Sequence, residues 1–390
     1  MENKNIFILG SRGYTKNYGG WETFVQNLIN HWKNKNTHFY VYEIVHKHEE
    51  EGVFEVNEIT TCIRLYVKQT GYIAMVLFDI KSMLFTPKFI KKNQIKNSML
   101  YILGPRIGMF FLIYRPYLKK KKLIIMENPA GLEWRRGKWN KLVQQYVKIS
   151  AYTMAKACDY LICDSRGIVQ AYNKIIKSKR PIKKYISYGT IVPDKLDGEM
   201  PSFVRDFYIQ KEIKPYEYYL ILGRFVPENN YETMLKGFIH SKTKKKLIII
   251  CNVEENKFYR ALKNNTNYEE DDRIKILGAI YDKQLLNYIR QYAYGYIHGH
   301  SVGGTNPGLL EAMATTSVNI LYDVPFNREV GEKIAFYFKN DSELSLRIKE
   351  CENITLQERK QLNDKARLRM KNDYSWEKII QEYENLFESV

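Results

Sequence analysis

Short apolar runs alternate along the chain with longer segments whose apolar residues have helical spacing. The runs of the first half cover residues 6–9, 39–45, 63–67, 123–126, 160–163 and 184–187. The rhythm restarts after residue 200, with runs at residues 218–222, 246–251, 274–277 and 294–298. Strands that alternate with helices are typical of parallel sheets covered by helices on both faces. The pattern therefore predicts an α/β fold with two Rossmann-like domains.

The restart also predicts where the domains divide. Residues 192–202 contain two prolines, a glycine and several charged residues, which is the composition of a linker. We predict an N-terminal domain at residues 1–195 and a C-terminal domain at residues 196–390. The last segment, residues 375–387, is an amphipathic helix whose apolar face must be buried against one of the two domains. That face carries Trp376, Ile379, Ile380, Tyr383 and Leu386.

Composition excludes several classes of protein. The 390 residues are 45% hydrophobic and 27% charged, which is globular composition. The longest apolar stretch, residues 99–114, is interrupted by Pro105 and Arg106 and is too short to span a bilayer. The first residues lead directly into a strand, so we expect no signal peptide. The five cysteines are scattered and never form CxxC, which indicates reduced thiols of a cytoplasmic protein and neither a disulfide framework nor a zinc site.

The positive charge is concentrated in one half of the chain. Residues 1–200 contain 33 Lys and Arg against 16 Asp and Glu, whereas residues 201–390 contain 28 against 27. A biased genome composition would have raised both halves equally. The asymmetry favours an anionic partner of the first half, which is a membrane surface, a phosphate-rich ligand or a nucleic acid.

Two segments of the first half have the composition of ligand-binding loops. The first lies between strand and helix and contains Arg12 and four glycines, among them Gly19 and Gly20. Such glycines let the backbone approach a phosphate beside a helix N-terminus, although the segment does not match GxGxxG and a tight turn is the alternative. The second follows the strand at residues 123–126 and carries Asn128, Glu133, Trp134, Arg135, Arg136 and Lys138. Indole rings stack on sugars and cations hold a diphosphate, whereas the alternative is a basic surface loop.

The second half has a cation and a glycine-rich turn after two of its strands. Arg224 follows the strand at residues 218–222, where a diphosphate leaving group would be well placed. The turn after residue 298 leads through Pro307 into a helix and carries His298, His300, Gly303, Gly304, Thr305, Asn306 and Glu311. Histidines in isolation are more often structural than catalytic. No DxD occurs, and Asp271-Asp272 has the character of a solvated turn, so we expect neither a metal nor a cofactor.

These motifs together resemble a known family. GSRGYTKNYGGWETF, ENPAGLEWRRGKW, LGRFVPENNYETM, HGHSVGGTNPGLLEAM and YSWEKI are similar to the bacterial rhamnosyltransferases of retaining glycosyltransferase family four. The similarity is greatest to the streptococcal-type β-1,4-rhamnosyltransferases. It implies the GT-B fold, in which two Rossmann-like domains face a central cleft, with the C-terminal helix packing back on the N-terminal domain.

The resemblance also implies a reaction. The C-terminal domain would bind dTDP-L-rhamnose, and the N-terminal domain would bind a lipid-diphosphate-linked sugar, for synthesis of capsule, cell wall or exopolysaccharide. The protein would work without a cofactor, peripherally at the inner face of the plasma membrane. A front-face attack, in which the departing phosphate takes the acceptor proton, fits the absence of a well-placed protein nucleophile.

Site residues follow from the same resemblance. Gly19 and Gly20 match glycines that face the donor diphosphate, Arg224 the arginine that neutralises it, and Glu311 the carboxylate that binds the ribose. Arg224 and Glu311 are the expected catalytic residues. The other expected donor contacts are His298, Gly303, Gly304, Thr305 and Asn306, and the expected acceptor contacts are Arg12, Asn128, Glu133, Trp134 and Arg136. The sequence departs from the family at Gly303, Asn229 and Ala130, where relatives have glutamate, lysine and aspartate.

Three alternatives remain at the level of sequence. The first is a transferase of the same fold whose donor is UDP-glucose or UDP-N-acetylglucosamine. The second is a non-catalytic scaffold of an assembly complex, and the third is a basic nucleic-acid-binding protein. The last alternative lacks any nucleic-acid motif, and we expect no nucleic-acid partner. We further expect residues 73–122, with the run Lys119 to Lys122, to attach the first domain to anionic lipid.

Overall fold

The computed structural model describes residues 3–16, 19–135, 140–196 and 198–390. The chain divides into two compact units. The first unit runs from the N-terminus to Tyr188 and includes Trp376–Val390, and the second unit is Gly189–Ser375.

The first unit is built on one eight-stranded sheet. Its strands are β1 (Lys4–Leu9), β2 (Thr37–Val45), β3 (Gly52–Asn57), β4 (Thr60–Tyr66), β5 (Ser98–Leu103), β6 (Ile124–Asn128), β7 (Tyr160–Cys163) and β8 (Ile182–Tyr185). Its helices are α1 (Gly20–Asn30), α2 (Gly71–Lys92), α3 (Gly108–Lys120), α4 (Lys141–Ala157) and α5 (Arg166–Ile175). The C-terminal helix of the chain, α14 (Trp376–Glu388), completes this unit.

The strand order is β3-β4-β2-β1-β5-β6-β7-β8, and every pair is parallel except the edge pair of β3 and β4. Helices α2 to α5 contribute to the core on one face of the sheet, and α1 and α14 to the core on the other face. The prediction that the C-terminal helix packs on the first domain is confirmed. Trp376 and Tyr383 lie in the core around Phe24, and the Tyr383 hydroxyl is 2.8 Å from that of Tyr101.

The second unit has a six-stranded parallel sheet. Its strands are β9 (Tyr218–Leu222), β10 (Lys246–Ile250), β11 (Ile274–Ile276), β12 (Gly295–His298), β13 (Asn319–Tyr322) and β14 (Phe336–Phe338). Its helices are α6 (Ser202–Gln210), α7 (Tyr231–Ser241), α8 (Lys257–Thr266), α9 (Lys283–Gln291), α10 (Pro307–Thr315), α11 (Pro325–Gly331), α12 (Asp341–Asn353) and α13 (Leu356–Asp373). The strand order is β11-β10-β9-β12-β13-β14, with one hydrophobic core on each face.

The structure differs from the sequence-based expectation at the domain boundary. The units divide after Tyr188, and residues 376–390 belong to the first unit and not to a C-terminal domain of residues 196–390. The reason is a pairing within the second unit, in which the Thr190 N–H donates to the Tyr374 carbonyl at 2.7 Å. This pairing draws the linker onto the end of α13, just before the chain returns to the first unit as α14.

The prediction that residues 73–122 attach the first domain to lipid includes the apolar stretch at residues 99–114. For the first part of that stretch the prediction is wrong. Residues Met99 to Leu103 lie in β5 in the middle of the sheet and are buried. In α2, Phe78 and Met83 also lie in the core. Of the described helices, none is long and apolar enough to cross a membrane.

Candidate functional site

The sheet of the second unit reverses its strand order between β9 and β12. From β9 the chain moves outward to β10 and β11, and it then crosses back to β12 on the other side. In open α/β sheets, ligands bind at such a switch point, beyond the carboxyl ends of the strands. The two loops at this point are residues 223–230 and residues 299–306, and they contain most of the predicted donor-binding residues.

Hydrogen bonds join these two loops into one structure. The Asn229 side-chain oxygen lies 2.8 Å from His300 Nδ1, and Asn230 Nδ2 donates to the Gly299 carbonyl at 2.7 Å. The Ser301 N–H donates to the Glu228 carbonyl at 2.9 Å. A Cβ on Gly299 would lie 2.1 Å from the Asn229 carbonyl oxygen, so this close approach requires glycine. The loops therefore form a fixed surface at the switch point.

Arg224 is the exposed cation of this surface. Its backbone carbonyl accepts hydrogen bonds from Val226 N–H at 3.0 Å and from Asn229 Nδ2 at 2.6 Å, which fixes the turn after β9. Its side chain is exposed, and among the described residues the guanidinium has no hydrogen-bond or ion-pair partner. Asn229, where the resemblance leads us to expect a lysine, shapes this turn through its own hydrogen bonds and adds no charge. Arg224 can therefore give its full charge to an anion.

His298 ends β12 beneath the same loops. The side chain is 5% exposed, and burial lowers the pKa of the imidazole to about 3, so the ring is neutral near pH 7. Its Nδ1 lies 3.3 Å from the Tyr296 hydroxyl, whereas its buried Nε2 has no hydrogen-bond partner among the described residues. A buried polar atom without a partner is costly, and a bound ligand would remove that cost.

The N-terminus of α10 adds backbone N–H groups to the surface. The Asn306 side chain caps the helix by accepting from the Gly308 N–H at 2.8 Å, and Pro307 occupies the first helical position. Gly304 and Thr305 are buried just before this cap. Gly303 has φ 147°, and a Cβ there would lie 3.0 Å from His300 Nε2. The turn thus favours glycine at position 303, where the resemblance leads us to expect a glutamate.

Glu311, one turn into α10, forms an ion pair that the sequence analysis did not anticipate. Its carboxylate accepts from Nη2 of Arg290, which lies at the end of α9 and is 8% exposed. The Arg290 Nε is buried with no partner among the described residues. A sequence signal existed, because Arg290 stands between the apolar positions Ile289 and Ala293 of an amphipathic helix. Glu311 keeps its side chain nearly half exposed, so it is held by Arg290 and remains accessible.

The glycine-rich loop of the first unit contains glycines of two kinds. Gly19 caps α1 with φ 131°, and a Cβ there would lie 2.0 Å from Glu22 Oε2. The other oxygen of Glu22 accepts from the Arg12 N–H at 2.6 Å, while the Arg12 side chain is exposed. A Cβ on Gly20, the first residue of α1, would have no described atom within 4 Å. Gly19 is therefore required by the fold, whereas the described residues leave the space beside Gly20 open.

A buried ion pair supports that loop, and it too was missed. Arg106 follows β5 and donates to both carboxylate oxygens of Asp79, at 2.7 and 3.3 Å, and to the Gly10 carbonyl at 2.5 Å. Asp79 is fully buried in α2, and burial raises the pKa of its carboxyl while the charge of Arg106 opposes that rise. A lone aspartate within an apolar helix was the signal for such a partner.

Apart from Arg12, the predicted acceptor residues lie at the end of β6 or after it in the first unit. Asn128 is buried, and its Oδ1 accepts from the Ala130 N–H at 3.1 Å. Ala130 has φ 55°, a left-handed conformation that aspartate, which the resemblance leads us to expect there, adopts more readily than alanine. Glu133 and Trp134 are half-buried, and the indole packs edge-on against Tyr172 at 6.4 Å. Arg136 lies outside the described residues.

The structure thus groups the predicted residues by unit. Arg224, His298, Glu311 and residues 303–306 gather at the switch point of the second sheet. Arg12, Gly19 and Gly20 follow β1, and Asn128 to Trp134 follow β6 of the first sheet, two strands away. In the described part of the chain, no group of three or more His, Cys, Asp or Glu side chains could hold a metal ion.

Each unit matches a known protein family model. Residues 3–191 match a domain of unknown function, DUF1972, and residues 204–369 match the glycosyl transferases group 1. A Methanocaldococcus jannaschii protein described as an uncharacterized glycosyltransferase is 23% identical over 390 residues, which is 96% of each chain.

Solved structures of similar fold cover nearly the whole chain. Sucrose-phosphate synthase from Thermosynechococcus elongatus has a TM-score of 0.76 at 15% identity, covering 100% of both chains. Anabaena HepE, in complex with UDP, has a TM-score of 0.71 at 12% identity, covering 99% of this chain and 100% of the other. The chain therefore has the GT-B fold, and its residues 204–369 form a domain of the group 1 glycosyl transferases.

Proposed function

We propose that this glycosyltransferase moves L-rhamnose from dTDP-L-rhamnose to a sugar carried on a lipid diphosphate. The observation that carries the proposal is the surface at the switch point of the second sheet. There the exposed Arg224, unpaired among the described residues, and the N-terminus of α10 lie on two cross-linked loops, with a neutral His298 buried beneath them. These are the groups that a sugar nucleotide with a diphosphate needs.

The charges of the reaction suit these residues. Cleavage of the bond between the anomeric carbon and the phosphate oxygen develops positive charge on the sugar and negative charge on the leaving group. Arg224 and the α10 N-terminus would stabilise the negative charge, and they need no rearrangement because the loops are fixed. The unpartnered Nε2 of His298 would donate to, or accept from, a neutral group of the donor. Glu311, held by Arg290, would bind a ribose hydroxyl.

The bond changes balance without a protein nucleophile. The acceptor hydroxyl oxygen attacks the anomeric carbon from the side that the phosphate leaves, and its proton passes to the departing phosphate oxygen. The products are the glycosylated lipid diphosphate and dTDP. The protein residues position the two substrates and stabilise the leaving group, which makes Arg224 the principal catalytic residue.

A second donor class has one specific observation in its favour. Anabaena HepE, which has the same fold, is in complex with UDP. UDP-glucose and UDP-N-acetylglucosamine are therefore the competing donors. The diphosphate contacts would be the same for both classes, so the sugar and the base distinguish them.

The experiment is a donor panel read by release of nucleoside diphosphate. Purified protein is incubated with dTDP-L-rhamnose, UDP-glucose and UDP-N-acetylglucosamine, with and without prenyl-diphosphate sugars. We expect release from dTDP-L-rhamnose above the other two, and stimulation by acceptor. Preferential release of UDP would replace the donor in the proposal, and no release with any donor would favour the non-catalytic scaffold.

A further inference from the structure

Helices α3 and α4 of the first unit present apolar side chains to solvent. Ile113 is 82% exposed and Leu142 is 83% exposed, and a cluster of such exposed apolar side chains marks an interaction surface. The outward positions recur at helical spacing on both helices, so each helix has an apolar stripe. We call the two stripes the α3–α4 surface, which comprises Met109, Leu112, Ile113, Leu142, Tyr146 and Ile149.

The two helices that carry the stripes are fixed to one another. A Cβ on Gly108 would lie 2.0 Å from the Ser150 carbonyl oxygen, so α3 and α4 touch through their backbones. The Gly108 N–H donates to Ser150 Oγ at 2.7 Å, and Arg115 Nε donates to the Ala157 carbonyl at 2.6 Å. The opposite faces of both helices already fill the core, through residues such as Phe111 and Met154. The exposed stripes are therefore additional to what the fold needs.

The charged side chains on the two helices are all basic, and an acidic partner, Asp159 after α4, is paired with Arg115 at 2.7 Å. Neither α3 nor α4 contains an aspartate or a glutamate. Exposed lysines lie at the end of α3, Lys119 to Lys122, and along α4, at Lys141, Lys148 and Lys156. A second copy of this surface would be repelled by the same charges, whereas an anionic surface would be attracted. Apolar side chains flanked by lysines are the pattern of peripheral attachment to a bilayer.

We infer that the α3–α4 surface seats the first unit on the face of an anionic phospholipid bilayer. The apolar stripes enter the boundary between headgroups and acyl chains, and the lysines lie among the anionic headgroups. The sequence predicted lipid contact over residues 73–122, which include β5 and most of α2. The apolar residues of β5 and of most of α2 fill the core, so the α3–α4 surface takes their place in the proposal. The inference goes beyond glycosyl transfer, since binding of the bilayer requires neither donor nor acceptor.

The test is co-sedimentation of the full chain with vesicles. The vesicles contain phosphatidylcholine alone or phosphatidylcholine with phosphatidylglycerol, and salt is about 0.1 M or about 1 M, where the Debye length is about 10 Å or about 3 Å. We expect binding to the anionic vesicles at low salt and its loss at high salt. Equal binding to both vesicles, or no binding to either, would overturn the inference.

Two pairs of variants assign the binding to this surface. Ile113→Gln with Leu142→Gln should weaken binding by about tenfold or more, because it removes two side chains from the interface. The control, Ile209→Gln with Leu356→Gln, changes side chains of the second unit that are 70% and 83% exposed, and it should bind as the wild type does. Equal losses in the two double variants would overturn the inference.

The charge is tested in the same way. Lys119→Gln with Lys120→Gln should weaken binding by about fivefold for each lysine removed. Lys360→Gln with Lys365→Gln, at exposed positions of α13, is the control and should leave binding unchanged. Thermal unfolding of every variant verifies the fold. Sedimentation without vesicles tests for self-association. If the wild type self-associates and the Ile113 and Leu142 double variant does not, the surface binds a second copy and the lipid assignment is overturned.

Discussion

Arg224 is exposed and has no partner within the part of the chain that the structure describes, and this makes its role separable from stability. We predict that Arg224→Ala lowers kcat by about 10² to 10³, by analogy with the loss of one preorganised charge contact in a transition state. The temperature of unfolding should stay within the range of ordinary surface substitutions. Arg205→Ala, an exposed arginine on α6, is the matched control and should leave kcat unchanged. A near-native rate in the Arg224 variant would remove Arg224 from the mechanism.

Gly20 tests whether a ligand occupies space that the protein leaves open. An alanine there meets nothing within 4 Å and begins a helix, so Gly20→Ala should fold at least as stably as the wild type. If the Gly20 backbone approaches the donor diphosphate, the added methyl group should raise the donor KM by about tenfold, roughly the cost of displacing one close contact. Gly19→Ala, in contrast, should destabilise the fold because of its positive φ. An unchanged KM in the Gly20 variant would remove Gly20 from the donor site.

His298 gives the fold a definite dependence on pH. Its pKa is lowered in the folded state to about 3, against about 6.5 in an unfolded chain, so unfolded molecules bind more protons between these values. Stability should therefore fall as the pH drops below about 6.5. Relative to His298→Asn, the wild type should lose about 2 kcal/mol of unfolding free energy between pH 7 and pH 5. Urea unfolding of both proteins at the two pH values measures the difference, and a constant difference would contradict the buried neutral state.

Among elements, α10 combines a structural cap with the proposed donor surface. Asn306→Ala should cost about 1 kcal/mol of stability through loss of the N-cap. Asn340→Ala, which removes the matching cap of α12, should cost about the same. Only the Asn306 variant should also raise the donor KM, because α10 begins at the switch point and α12 does not. Equal donor KM values in the two variants would mean that the α10 N-terminus does not contact the donor.

Most strands were predictable from the sequence, and those that were missed have a physical reason. Strand β5 was hidden because its buried apolar residues run almost directly into α3, so one apolar stretch contained two elements. Strand β3 is an exposed edge strand without a buried face, so its residues show no pattern of burial. Strands β13 and β14 have four and three residues, too few to show a periodicity.

The candidate site was predictable in its loops but not in its supports. Glycines and cations after strands mark a ligand-binding edge, and Arg224 and His298 lie where that rule places them. Arg290 and Arg106 were missed because their partners, Glu311 and Asp79, are distant in sequence and meet only in the folded units. The polar roles of Asn229 and Asn128 also depend on turns whose geometry the sequence pattern does not specify.

For the whole molecule, the absence of a DxD pair makes a prediction about metals. EDTA should leave glycosyl transfer largely intact, because Arg224 and the α10 N-terminus provide the positive charge that a metal would otherwise supply. The measurement is the rate of nucleoside diphosphate release before and after chelation. Complete loss of the rate, restored by magnesium or manganese, would reveal a metal site in the working enzyme.

Transfer of one rhamnose to a lipid-linked sugar adds a defined mass to the lipid, so the mass of the product is the decisive measurement. The protein is incubated with dTDP-L-rhamnose and a panel of prenyl-diphosphate sugars, and the lipids are analysed by mass spectrometry. We predict that one acceptor gains the mass of one deoxyhexose, with one dTDP released for each lipid modified. Release of dTDP without any modified lipid, or a product formed only from a UDP-sugar, would contradict it.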